Sequence, residues 1–105
     1  MQPTPQDERI AHSLADCLRQ AFDVRQILWF GSRADGTGNA ESDWDLLVVA
    51  CTTLDPWSRM TLALKATRAL QVPRDIFVAT PEEFAAQKTR CGTIAWAAAR
   101  GGRPA

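Results

Sequence analysis

The sequence predicts an α/β (α+β) fold, a small mixed β-sheet flanked by helices, in one domain spanning residues 1–105. Three observations carry that prediction. Stretches of helical period alternate along the chain with short runs of β-branched and aromatic residues. The run from Asp43 to Ala50 is apolar on both faces, as a strand covered above and below must be. A chain of 105 residues, 46% hydrophobic and 23% charged, suits one ordinary core.

The first helix is expected from Pro5 to Phe22, where Ile10, Leu14, Cys17, Leu18 and Ala21 recur on one stripe of 3.6-residue period. Thr4 is its cap, Pro5 suits a first position whose N–H has no partner anyway, and Asp7 lies in the positive first turn. Val24 to Phe30 reads as a strand that ends at Gly31. From Gly31 to Ser42, three glycines, Asn39 and small polar residues make a loop with exposed backbone and room for a helical turn. The strand from Asp43 to Ala50 is expected at the centre of the sheet. Asp55 and Pro56 restart a helix, in which Trp57, Met60, Leu64 and Thr67 follow at helical steps until about Gln71. Pro73 bars its continuation, and Asp75 to Val78 is a further short strand. Thr80 and Glu83 form a capping box at the start of a third helix. Cys91 and Gly92 interrupt it, and a last helix runs from Thr93 to Arg100 before Gly101 and Gly102 close it.

Composition removes several classes of function. Twelve Lys and Arg balance twelve Asp and Glu, so bulk nucleic-acid binding by charge is excluded and any phosphate must be met locally. Cys17, Cys51 and Cys91 are an odd number without metal-ligand spacing and read as small reduced core residues. No apolar run approaches the ~18 residues of a membrane span, so no membrane contact is expected and the chain is placed in a cytoplasm. His12 lies off the apolar stripe and reads as solvated, as do Lys65 and Arg68 on the second long helix. Trp29, Trp44, Trp57 and Trp96 read as core packing at their strand or helix spacings.

The chemistry concentrates in three carboxylates. Asp43 and Asp45 are two apart, so on a strand they project side by side where the chain enters the sheet. Like charges so placed repel, and a bound divalent cation such as Mg²⁺, which prefers carboxylate oxygens, resolves the repulsion. The bland alternative is a solvated strand end. Asp75 opens the only other strand with an acid near its beginning; if the two strands are neighbours, three acids converge. A calcium loop of the EF-hand type does not fit, because Leu54 stands where the twelfth-position Glu is required. Gly36-Thr37-Gly38 lacks the further glycine of a dinucleotide fingerprint, and no Gly-Lys-Thr/Ser follows as a P-loop needs.

What is present is Gly31-Ser32 directly after a strand, with ten residues between Ser32 and Asp43-Trp44-Asp45. With Arg33-Ala34 after the first pair, Leu46-Leu47-Val48-Val49 after the second and Asp75 as third acid, this resembles the minimal nucleotidyltransferases of the polymerase-beta-like superfamily. The likeness is strongest from Ile27 to Val78. It implies the nucleotidyltransferase fold and two Mg²⁺ ions held by Asp43, Asp45 and Asp75, the catalytic acids. Asp43 and Asp45 bridge the ions, and Asp75 serves the ion that activates the acceptor. Gly31, Ser32 and Arg33 bind the triphosphate of an NTP, and NMP, in practice AMP from ATP, passes to a hydroxyl with release of pyrophosphate. Relatives are often basic two residues after such an arginine, whereas Asp35 is acidic, and Trp44 replaces the usual aliphatic residue between the acids.

The resemblance also implies a partner. Such chains are commonly the antitoxin of a pair with a small helical HEPN-type toxin, and can transfer AMP to a partner tyrosine. This sequence has no tyrosine, so such an acceptor is in trans. No substrate-holding domain is expected here, which disfavours an aminoglycoside-type enzyme. The alternative from another class is a noncatalytic antitoxin or nucleotide-binding module that masks its partner. Acceptor, nucleotide preference and oligomeric state stay open.

Overall fold

The computed structural model describes residues 2–105. Helix α1 (Pro5–Ala21) starts where expected: the Thr4 hydroxyl accepts the Asp7 amide at 3.0 Å, and Pro5 opens the first turn. Strand β1 (Asp23–Phe30) leads into a one-turn helix α2 (Ser32–Asp35), the helical turn for which the loop had room. Strand β2 (Trp44–Cys51) pairs antiparallel with β1 on one side and parallel with β3 (Arg74–Ala79) on the other. A parallel pair needs a crossover. Helix α3 (Pro56–Thr67), capped by Asp55, and a 3-10 turn over Arg68–Leu70 supply it, and Gln71 ends the run in the left-handed conformation at φ 50°. Helix α4 (Pro81–Gln87) carries the full Thr80–Glu83 capping box, and α5 (Ile94–Gly101) starts at Thr93. A two-residue strand β4 (Arg103–Pro104), which the sequence did not announce, adds to β1, giving a mixed sheet of order β3-β2-β1-β4.

The sheet separates two apolar clusters. On one face Leu14 and Leu18 of α1 and Ala63 of α3 pack on Ile27, Trp29, Leu46, Val48 and Ile76. On the other, Ala95 and Ala98 of α5 cover Leu28, Phe30 and Leu47. Strand alternation assigns each side chain: Trp44 joins the α1 face, so its neighbour Asp45 points to the opposite one.

Three expectations are corrected. Trp57, expected in the core, is 76% exposed; Met60 and Leu64 also face outward, and α3 instead buries Arg59, Ala63 and Thr67. The helix is held at that rotation by Arg59, whose guanidinium donates to the Leu54 carbonyl at 2.8 Å and to Glu83 of α4 at 2.7 Å, while small Ala63 lets the backbone close on α1 and the sheet. The cysteines are free thiols, but Cys51 and Cys91 are exposed and Cys17 is half-buried: Cys51 ends β2, Cys91 lies between α4 and α5, and Cys17 sits at the flank of the buried face of α1. Trp96 is half-buried rather than enclosed, with the Arg100 guanidinium 4.8 Å over its ring. Trp29 and Trp44 are core residues as expected.

Candidate active site

Gly31 forms the corner between β1 and α2. Its φ of 82° is open to glycine and strained for other residues. The same position has a second constraint: a Cβ on Gly31 would overlap a carboxylate oxygen of Asp45. The register explains the proximity, since Asp45 lies opposite Phe30, the last residue of β1. Ser32 follows at the first position of α2, half-buried, and its carbonyl accepts the amides of Thr37 and Gly38 at 3.1 and 3.0 Å, which folds the loop back over the turn.

The parallel register places Asp45 directly opposite Asp75, so the two strands that carry acids are neighbours. Asp43 stands just before β2, exposed, with its carboxyl close to that of Asp75. Burial, reinforced by the Asp75 and Asp43 charges, pushes Asp45 up to about 6. Asp75 is raised as well, by desolvation first, then by the neighbouring Asp43 carboxyl and its charge. The site thus strains against full ionisation.

That set of groups fits a divalent cation by its chemistry: three neighbouring carboxylates whose mutual repulsion a cation would relieve. Among the described residues no three Asp, Glu, His or Cys side chains are closed around one point, so an ion held by all three acids would require them to draw together.

Arg33 goes elsewhere. Its Nη1 donates to Asp7 at 3.0 Å, its Nε to the Ser42 carbonyl at 3.0 Å, its Nη2 to the Ala40 carbonyl at 3.3 Å, and its guanidinium lies 3.8 Å over the Trp44 ring. Trp44 belongs to the face opposite Asp45, so Arg33 is engaged by protein groups on the α1 side instead of pointing with the acids. Asp35, the acidic departure, is turned into the loop, where it accepts from the Thr37 amide at 2.9 Å and hydroxyl at 2.5 Å; these bonds hold its carboxyl below the usual range.

Residues 12–95 match the family described as Polymerase beta, Nucleotidyltransferase. The chain belongs to this family. No curated protein matches it significantly. Among solved structures it is similar to one described as a crystal structure of the toxin-antitoxin with AMP-PNP, with a TM-score of 0.65 and 26% identity over 89% of this chain and 69% of that one. The mixed sheet flanked by helices agrees with the nucleotidyltransferase fold of that family. Among the described residues no helix is long and apolar enough to cross a membrane.

Asp7, whose place in the sequence marks only a favourable first-turn charge, holds Arg33. Its partner lies 26 residues along the chain, and nothing local signals such a pair. The N-terminal segment also reaches the loop at Gly36, where Gln2 backbone atoms fill the space a Cβ would need.

Proposed function

We propose that this nucleotidyltransferase chain uses Mg²⁺ to transfer AMP from ATP to a hydroxyl of a separate protein, as the antitoxin of a toxin–antitoxin pair whose other member is a small helical HEPN-type protein. The observation that carries the proposal is the packing of Asp45 on Gly31, with Asp43 and Asp75 beside it: strand-end acids border a Gly-Ser turn. The family match and the likeness to a toxin–antitoxin structure with AMP-PNP support the same direction.

Gly31 lets phosphate oxygens approach the backbone, and Ser32 donates its hydroxyl to them. Asp43, Asp45 and Asp75 are the residues that would hold two Mg²⁺ ions, whose chemistry is to neutralise triphosphate charge and acidify the acceptor hydroxyl. In the transfer the acceptor oxygen bonds to the α-phosphorus, the bond from that phosphorus to the bridging oxygen breaks, pyrophosphate leaves, and the hydroxyl proton goes to water. Asp75, exposed on the edge strand β3, is the acid we assign to the acceptor side. An acceptor tyrosine has to come from the partner, since this chain has none.

One observation favours a second reading, masking without chemistry. Trp57, Met60 and Leu64 form an apolar stripe on the outside of α3, a surface suited to a protein contact. Co-purification from the native cell, mass analysis of the partner and a Ser32→Ala/Asp43→Asn variant separate the two. Under the transferase reading, wild-type protein yields a partner heavier by one AMP, and the variant still co-purifies but neither modifies nor neutralises it. A variant that neutralises as well as wild type establishes masking instead.

A further inference from the structure

The loop that carries Ser32 and the strand that carries Asp43 and Asp45 are separate stretches of chain, and one side chain joins them. Arg33 sits directly after Ser32. It takes hold of both chain neighbours of Asp43, donating to the Ser42 carbonyl at 3.0 Å and covering the Trp44 ring at 3.8 Å. Asp7 of α1 anchors the assembly from behind. Its carboxylate accepts Arg33 Nη1 at 3.0 Å, and its carbonyl accepts the Trp44 indole N–H at 3.2 Å. The two charged side chains are only 12% and 15% exposed, so the pair is largely withdrawn from solvent and from screening.

From this geometry we infer that Asp7, Arg33 and Trp44 form a brace on the back of the sheet that positions the Gly31–Ser42 loop against Asp43 and Asp45, and that Arg33 is a positioning residue rather than a ligand of the triphosphate. The inference rests on the function proposed above for its catalytic consequence, but the brace itself rests on the hydrogen bonds alone. Every polar nitrogen of Arg33 already has a protein acceptor, and its ring partner lies on the face away from the acids. A planar guanidinium is needed for this role: three donors in one plane and a flat surface to lie on an indole, neither of which a lysine ammonium provides.

The two roles for Arg33 give opposite results in three variants. Arg33→Lys keeps a positive charge but loses the fork and the stacking. Asp7→Asn keeps the shape of the anchor and removes its charge. The double variant Asp7→Asn/Arg33→Lys tests whether they act as one unit. Calorimetry with Mg-ATP, at a temperature where melting curves show each variant folded, is combined with hydrogen exchange at the amides of residues 32–43. For the brace, each single variant speeds exchange in that segment and weakens Mg-ATP binding about tenfold, as loss of partners behind ligating residues commonly does, and the double variant loses little more. For a triphosphate ligand, Arg33→Lys retains most of the affinity, Asp7→Asn binds as well as wild type or better because it frees the arginine, and exchange is unchanged. That outcome overturns the proposal, as does faster exchange with unchanged affinity. If wild type binds no Mg-ATP at all, the proposed function fails and takes the catalytic side of this inference with it, while the exchange data still decide whether the brace exists.

Discussion

The carboxylate of Asp45 rests on the α-carbon of Gly31, so the glycine of the loop and an acid of the strand are two halves of one contact. The contact joins the end of β1 to the start of β2 through the Phe30–Asp45 register, and it leaves no volume for a side chain at residue 31.

Gly31→Ala therefore carries two penalties, a positive φ and an overlap with Asp45. Together they are expected to destabilise the fold by about 1–3 kcal/mol and to displace the acid from the loop. Denaturant unfolding with an unchanged m-value measures the first and Mg-ATP calorimetry the second. A change below ~0.5 kcal/mol with intact nucleotide binding would show that Asp45 swings aside freely.

The raised acids fix the sign of a pH effect. Asp45 has a folded-state pKa of about 6, above the ~3.9 of an unfolded aspartate, so the native state binds more protons than the unfolded chain between those values. Its contribution is fully present below about pH 4 and is lost as pH rises through about 6. Asp75 is displaced in the same direction. Without divalent cation, the melting temperature of wild type is expected to carry a component that falls between pH 4 and 7 and that Asp45→Asn removes. Mg²⁺ competes with the same protons, so its stabilising shift should grow from pH 5 to pH 7.5. A Mg²⁺ shift independent of pH would place the ion away from Asp45.

Two tryptophans that look alike in the sequence should differ sharply in the protein. Trp44 is buried and hydrogen-bonded to the Asp7 carbonyl, so Trp44→Ala should cost about 3–5 kcal/mol. Trp57 is 76% exposed, so Trp57→Ser should stay within ~0.5 kcal/mol of wild type. Urea titrations of both variants check this, and a large loss at Trp57 would mean that α3 buries the face assigned to solvent.

Why the helix caps are legible in the sequence and the exposure of Trp57 is not is a matter of how far the deciding contact lies along the chain. Thr4, Asp55 and Thr80 were readable as caps because their partners are three residues away. The spacing from Gly31–Ser32 to Asp43–Asp45 is legible through its resemblance to a family pattern, and Asp75 joins these acids because its strand is a neighbour of β2, which the structure shows as a parallel pair. The rotation of α3 is set instead by Arg59 reaching Glu83, 24 residues on, and by Ala63, whose small size matters only against a neighbour. The bond from Arg33 to Asp7 spans 26 residues and has no local sign in the sequence. Strand β4 has two residues, too few for any alternation to be seen, and it exists because Arg103 and Pro104 lie against Leu28 and Trp29.

Asp75 offers the sharpest separation of stability from function. In the absence of a cation its charge faces that of Asp43 and also presses on Asp45. Asp75→Asn removes one like charge and still offers an amide N–H to Asp43, so above pH 7 the apo protein should melt higher than wild type. Because Asp75 is exposed, solvent screening limits the gain to a few degrees at most, where ~1 kcal/mol corresponds to about 4–8 °C in a domain of this size. The same change takes a ligand from the proposed acceptor-side ion, so AMP transfer should be lost while Mg-ATP affinity falls less than in Asp43→Asn. Thermal melts with and without Mg²⁺, calorimetry and labelled-AMP transfer on both variants test each step. A lower apo melting temperature for Asp75→Asn would mean that the carboxylate is held by a favourable contact and not by repulsion. Equal loss of nucleotide affinity in the two variants would end the division of labour between the acids, since Asp75 would then belong to the triphosphate as fully as Asp43 does.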